Sequence, residues 1–153
     1  MRVHLVTMGQ RHSIPGRLLT RVATGVMRAT RTPEHAEVEV ALVGDATIAR
    51  LNRRYRGRGG PTDVLTFSGA SGRGRLVLGE VVISLPRARA QARRFGQPVR
   101  REVALLLAHG VLHLRGYDDR TPAAAARMQA RAEGILDLVF PVKPARQPAR
   151  RRP

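Results

Sequence analysis

The sequence contains no cysteine and no tryptophan, and only 3% of its residues are aromatic. The absence of cysteine excludes disulfides and thiolate metal sites, so any bound metal must be held by imidazole and carboxylate groups. Because aromatic residues are scarce, the core must be largely aliphatic. Recognition of single-stranded bases by aromatic stacking, as in RRM domains, is not expected for the same reason.

The N-terminus lacks the basic and then apolar pattern of a signal peptide, and no apolar run reaches the ~18 residues that a membrane span needs. We therefore expect a cytoplasmic protein without membrane contact. The chain has 153 residues, of which 42% are hydrophobic. This length and composition are typical of one domain with one core.

The chain carries 28 basic and 11 acidic residues, a formal net charge of +17. Such a surface attracts polyanions, and in the cytoplasm these are RNA and DNA. Lys143 is the only lysine. An arginine bias imposed by a GC-rich genome is therefore the alternative explanation of part of this charge.

Hydrophobic periodicity predicts an α+β fold. Alternation of polar and apolar residues predicts strands over 2–8, 36–43, 63–68 and 76–84. Helical spacing predicts helices over 14–30, 86–95, 99–114 and 122–138, and a shorter helix through 48–55 with Asp45 as its cap.

We expect the folded domain to occupy residues 1–140. Residues 141–153 contain four prolines in a basic, nearly apolar-free composition. Such a segment cannot bury enough surface to fold, so we expect a disordered basic tail.

The predicted helix over 99–114 contains two histidines in an apolar setting. From Val103 to Leu114 every residue other than His109 and His113 is Ala, Val, Leu or Gly. Residues four apart lie on one face of a helix, one turn from each other. Burial of unpaired polar groups costs about 1–3 kcal/mol each, and a divalent metal would satisfy both imidazoles together. We therefore predict a metal site here.

The segment after this helix supplies carboxylates. Gly116 is suited to a left-handed turn that reverses the chain, so that Asp118 and Asp119 return towards the helix end. Two imidazoles and one carboxylate leave a fourth position open, as in catalytic zinc sites. His109 is followed by Gly110 rather than the glutamate of the peptidase motif HExxH, which disfavours peptide hydrolysis and removes bulk beside the site.

Three blocks of the sequence resemble the YbeY endoribonuclease family. HGVLHLRGYDD at 109–119 is similar to the family signature HGxLHLxGYDH. LNRRYRGRGGPTDVLTF at 51–67 and LGEVVIS at 78–84 resemble two further family blocks, in the same order and spacing. The resemblance spans roughly residues 40 to 140.

The resemblance implies an α+β fold with a mixed four-stranded sheet and about five helices. It also implies a metal-dependent, single-strand-specific endoribonuclease that matures ribosomal RNA, notably the 3′ end of the small-subunit RNA, and assists ribosome quality control. The implied partners are ribosomal RNA and the small ribosomal subunit, and no small-molecule cofactor is implied.

The resemblance implies that His109 and His113 are the first two metal ligands of the family. It also implies that they act in catalysis by binding the metal. Asp119 stands where the family has a third histidine. Aspartate is an acceptable zinc ligand, so we expect one Zn²⁺ per chain. A harder metal such as Mn²⁺, a lost site, or ligation by Asp118 instead remain alternatives.

Arg56 matches the family arginine that approaches the RNA backbone, and it is the third expected catalytic residue. A guanidinium on a Gly-rich loop is able to clamp a phosphate and stabilise charge at phosphorus. The alternative is that Arg53, Arg54, Arg56 and Arg58 form a solvated basic loop. The nucleophile, water or a ribose 2′-OH, also stays open.

A second function remains open, that of a non-catalytic ribosome-associated RNA-binding factor whose metal is structural. The replacement of the third histidine by Asp119 makes this alternative more credible here. His4, His12 and His35 lie on a predicted strand or beside turns, and we expect no ligand role for them.

Overall fold

The structure is a computed structural model that describes residues 1–56 and 62–141, apart from the Arg56 side chain. Its elements are β1 (Arg2–Thr7), α1 (Gly16–Ala29), β2 (Ala36–Val43), α2 (Asp45–Arg56), β3 (Val64–Ser68), β4 (Ser71–Gly72), β5 (Arg75–Ser84), α3 (Leu85–Phe95), α4 (Val99–Leu114) and α5 (Pro122–Val139). The predicted α+β class is confirmed. Residues 142–153 of the predicted tail over 141–153, and residues 57–61, lie outside the described residues.

The strands form one mixed sheet in the order β1-β2-β5-β3, with β4 paired to β5. β1 and β5 run parallel to β2, whereas β3 and β4 are antiparallel to β5. Within residues 1–56 and 62–141 the sheet therefore has five strands, one more than the resemblance implies. The additional strand has two residues and arises because Arg73 and Gly74, both at positive φ, close a tight turn before β5.

Helices cover both faces of the sheet. The larger core lies between one face and α1, α3, α4 and α5, and a smaller cluster lies between the other face and α2. The alternating sequence of β2 explains this arrangement, because Val38, Val40 and Leu42 enter the larger core while Ala41 and Val43 enter the smaller one. Both faces of the central strands are thus buried.

Gly110 is the point at which α4 approaches the sheet. A Cβ atom at this residue would lie 2.4 Å from Cγ1 of Val81 on β5, well inside van der Waals contact. The interpretation that Gly110 clears space beside a metal is therefore wrong. Gly110 is buried against β5, and its lack of a side chain permits close packing of α4 on the sheet.

We predict opposite effects of alanine at two helical glycines. Gly110→Ala should lower the free energy of unfolding by about 1–3 kcal/mol, because Val81 is a stiff β-branched neighbour in a filled core. Gly134→Ala on α5 is the matched control, since a Cβ there meets nothing within 4 Å. It should be neutral or raise stability by up to ~1 kcal/mol, the helix propensity difference. Urea unfolding measures both, and equal stability of the two variants would contradict the packing argument.

In the described parts of the chain, no helix combines the length and the apolar character that crossing a membrane requires.

The two faces of α4 have different roles. One packs against the sheet, and the other carries His109 and His113.

Candidate active site

One cavity brings the predicted ligand residues together. It has a volume of about 270 Å³ and lies where α4, α5, the start of β3 and the loop between α4 and α5 meet. Its lining residues are Asp63, Val64, Leu106, His109, His113, Asp119, Ala125, Met128 and Gln129. The cavity thus contains two imidazoles and two carboxylates on an otherwise largely apolar wall.

The end of α4 orients His113. Gly116 has a φ of 92°, and the Tyr117 N–H donates to the Leu112 carbonyl at 3.1 Å, so the chain reverses as the sequence predicts. Nδ1 of His113 lies 3.0 Å from the Tyr117 carbonyl oxygen. Because a carbonyl only accepts, Nδ1 carries the proton, and the Nε2 lone pair is left for a ligand. A hydrogen bond from the ring nitrogen that does not bind the metal is typical of metal-binding histidines.

His109 lies one turn before His113 and is half-buried. Burial lowers the pKa of His109, while its hydrogen bond with Gln129 and the charges of Asp63 and Glu133 act in the opposite direction. The net effect is a lowered pKa, which favours the neutral imidazole. The neutral form is the one that binds a metal ion.

The two aspartates after Gly116 have different surroundings. Asp119 is exposed and lines the histidine cavity. Asp118 accepts a hydrogen bond from the Arg120 N–H at 3.1 Å and lines a separate depression with Arg115 and Arg127. The structure therefore brings Asp119, not Asp118, to the two histidines.

The imidazole and carboxylate groups of this cavity are types of group that bind metals, although they are not arranged closely around one common point. Within residues 1–56 and 62–141, no three His, Asp or Glu side chains converge closely enough to hold one ion. Imidazole and carboxylate groups are nevertheless the ligands that zinc takes when cysteine is absent. Asp119 is exposed on a loop, so packing does not lock its rotamer.

Asp63 is a cavity residue that the sequence analysis missed. It precedes β3, and its carbonyl oxygen accepts a hydrogen bond from the Ser84 N–H at 2.9 Å, which ties it to the end of β5. The only sequence signal is its place in the 51–67 block, because one acidic residue before a strand has no pattern of its own. Gln129 was missed for a similar reason, as one polar residue on α5.

The remaining predicted residues lie elsewhere. Arg56 is the last residue of α2; its side chain, like Arg58, is outside the described part. Arg53 and Arg54 are exposed at the same helix end. The three other histidines do not line the cavity: His4 contacts Glu37, His12 bonds the Ile14 N–H and the Thr7 hydroxyl, and His35 is exposed.

The family model of Endoribonuclease YbeY matches residues 9–139. The chain belongs to the YbeY family. The Endoribonuclease YbeY of Pelotomaculum thermopropionicum is 46% identical over 125 residues, which cover 78% of this chain and 82% of that relative. The YbeY of Moorella thermoacetica is 44% identical over 128 residues, with 77% and 82% coverage.

A solved structure with the same fold is the solution structure of TM1509 from Thermotoga maritima. It superposes with a TM-score of 0.61 at 25% identity, covering 90% of this chain and 89% of that protein. The family predicted from the three sequence blocks is confirmed, and with it the enzyme class of the YbeY relatives, endoribonuclease.

Proposed function

We propose that this YbeY protein is a metal-dependent endoribonuclease that cuts single-stranded ribosomal RNA in the cytoplasm. Its proposed substrate is the 3′ end of small-subunit RNA, and its proposed partner is the small ribosomal subunit, where it takes part in quality control. The observation that carries the proposal is the cavity shared by His109, His113 and Asp119 in a chain of net charge +17.

His109, His113 and Asp119 would hold one divalent ion, with Zn²⁺ proposed. When bound, the ion would supply positive charge that stabilises the charge developing at a phosphodiester. The chain's own contribution is orientation, since the Tyr117 carbonyl fixes the ring of His113 and Gln129 contacts that of His109. The family's third histidine is replaced by Asp119, which lowers the net positive charge of the site by one.

RNA is proposed to approach along arginines rather than aromatic platforms. Arg54 lies over the Tyr55 ring, with 5.4 Å from its guanidinium carbon to the ring centroid, and both residues are exposed at the end of α2. Arg56 follows directly and is proposed to hold the scissile phosphate. The arginine-rich surface supplies the sequence-independent attraction.

The strand preference tests the proposed substrate. A single-stranded RNA that spans the 3′ end of precursor small-subunit RNA should be cut, whereas the same RNA annealed to its complement should be cut at least ~tenfold more slowly, equivalent to ~1.4 kcal/mol of barrier. Product mapping on a gel measures both rates. Equal cleavage of the two forms would contradict single-strand specificity.

Arg56→Ala should reduce cleavage by ~10²-fold or more, the effect of removing one preorganised donor from the transition state. Metal content should stay unchanged. Arg56→Lys should restore activity only in part, because an ammonium cannot make the bidentate contact. Arg53→Ala is the matched control and should change only RNA affinity. Full activity of Arg56→Ala would show that Arg56 is part of the solvated basic surface and takes no part in catalysis.

A further inference from the structure

Asp63 lines the histidine cavity from a position directly before β3. It lines the cavity with His109 and His113 but precedes β3, whereas the histidines lie on α4 and Asp119 on the following loop. The hydrogen bond between its carbonyl oxygen and the Ser84 N–H fixes its backbone at the edge of a buried strand. Its position is therefore set by the sheet and not by a flexible loop.

Neutral groups hold the Asp63 carboxylate. Oδ2 accepts a hydrogen bond from the Gln91 side-chain amide of α3 at 3.2 Å, and the Thr62 hydroxyl lies 3.5 Å from Oδ1. Among the described residues, no basic side chain forms an ion pair with it. The half-buried carboxylate is thus held by an amide and a hydroxyl, and its oxygens have lone pairs left for further hydrogen bonds.

The reaction needs such a proton acceptor. Attack on phosphorus by water or a ribose hydroxyl requires that the attacking oxygen lose its proton. Position 110, which follows the first histidine as the HExxH base does, points at Val81 of β5 and has no room for a side chain. The carboxylates that line the cavity are Asp63 and Asp119, and Asp119 is the proposed third ligand.

We propose that Asp63 is the proton acceptor of this site, an inference that rests on the proposed nuclease function. The attacking oxygen forms a bond to phosphorus while its proton moves to a carboxylate oxygen of Asp63. The bond from phosphorus to the leaving ribose oxygen breaks, and its electron pair stays on that oxygen. The leaving oxygen takes a proton from solvent, and Asp63 gives its proton back to solvent, so the carboxylate returns to its starting state. Gln91 is the positioning residue for the carboxylate.

Asp63→Asn tests this role. The variant should bind zinc and single-stranded RNA as the parent does, yet its rate at saturating RNA should fall ~10²-fold or more, the usual contribution of a positioned base. In Asp63→Ala, added formate should restore part of the rate, because a small carboxylate enters the vacated space. Asp137→Asn is the matched control. It removes the same charge from an exposed residue of α5 that does not line the cavity, and it should cut RNA at the parent rate.

Four results would each overturn the proposal. Loss of zinc from Asp63→Asn would make Asp63 a ligand. A large drop in the melting temperature of Asp63→Asn, or no rescue of Asp63→Ala by formate, would show that Asp63 has a structural role. Parent-like cleavage by Asp63→Asn would remove it from the chemistry altogether. If the parent and Asp137→Asn also fail to cut RNA, the proposed nuclease function fails instead, and the two failures are thereby distinguished.

Discussion

His113→Ala is expected to lose its bound metal and to cut RNA at least ~10³-fold more slowly than the parent. The factor corresponds to about 4 kcal/mol of transition-state stabilisation, the order that a metal ion contributes to charge at a reacting phosphate. The hydrogen bond to the Tyr117 carbonyl orients the imidazole of His113, and alanine removes both this bond and the Nε2 lone pair. Elemental analysis and a single-turnover cleavage assay measure the two effects.

His35→Ala is the matched control, because His35 is exposed and does not line the cavity. It should retain metal and activity. Binding of His113→Ala to the small ribosomal subunit should persist, since the basic surface is unchanged. If the parent binds the subunit but does not cut RNA, the protein is the non-catalytic binding factor and its metal is structural. Retained metal and activity in His113→Ala would remove this residue from the ligand set.

The second large effect is expected for the zinc affinity and the pH–rate profile of Asp119 variants. Asp119→Ala should weaken zinc affinity at least tenfold, because even residues that only support a ligand contribute about 10–100-fold. Asp119→His should restore tight binding through three imidazoles. A neutral ligand leaves more positive charge at the site, so the rising limb of the pH–rate profile should move to lower pH. Competition with a chelator and a pH–rate series measure these changes.

Asp119→Asn separates charge from oxygen donation. It keeps an oxygen at the same place and removes the negative charge, so its zinc affinity should lie between those of the parent and Asp119→Ala. Parent-like zinc affinity in Asp119→Ala would show that another group completes the site. Asp63 is then the first candidate, because it is the other carboxylate of the cavity.

The elements with strong periodicity could be predicted from sequence alone. α4 occupies 99–114 and β2 occupies 36–43, both with the predicted bounds, because each is a long patterned segment between turn residues. α2 is different. It begins at Asp45 rather than being capped by it, since the Ile48 N–H bonds the Gly44 carbonyl and the Asp45 carboxylate accepts from the Ser84 hydroxyl. A contact with a strand 39 residues away has no local signal.

The same reason limits what could be predicted of the site. His109, His113 and Asp119 could be found because they share one helix and its turn. Gly110 was misinterpreted because its packing partner Val81 comes from β5, and no pattern near residue 110 shows which face of α4 meets the sheet. Asp63 reaches the cavity only through the pairing of β3 with β5.

Metal dependence is the central claim and is tested most directly on one sample of protein purified without chelator. Elemental analysis should find about one divalent ion per chain. Removal of that ion should abolish cleavage of single-stranded RNA from the 3′ end of precursor small-subunit RNA, and added zinc should restore it. Folded protein that contains no metal, takes up none, and cuts this RNA at an unchanged rate would contradict the account.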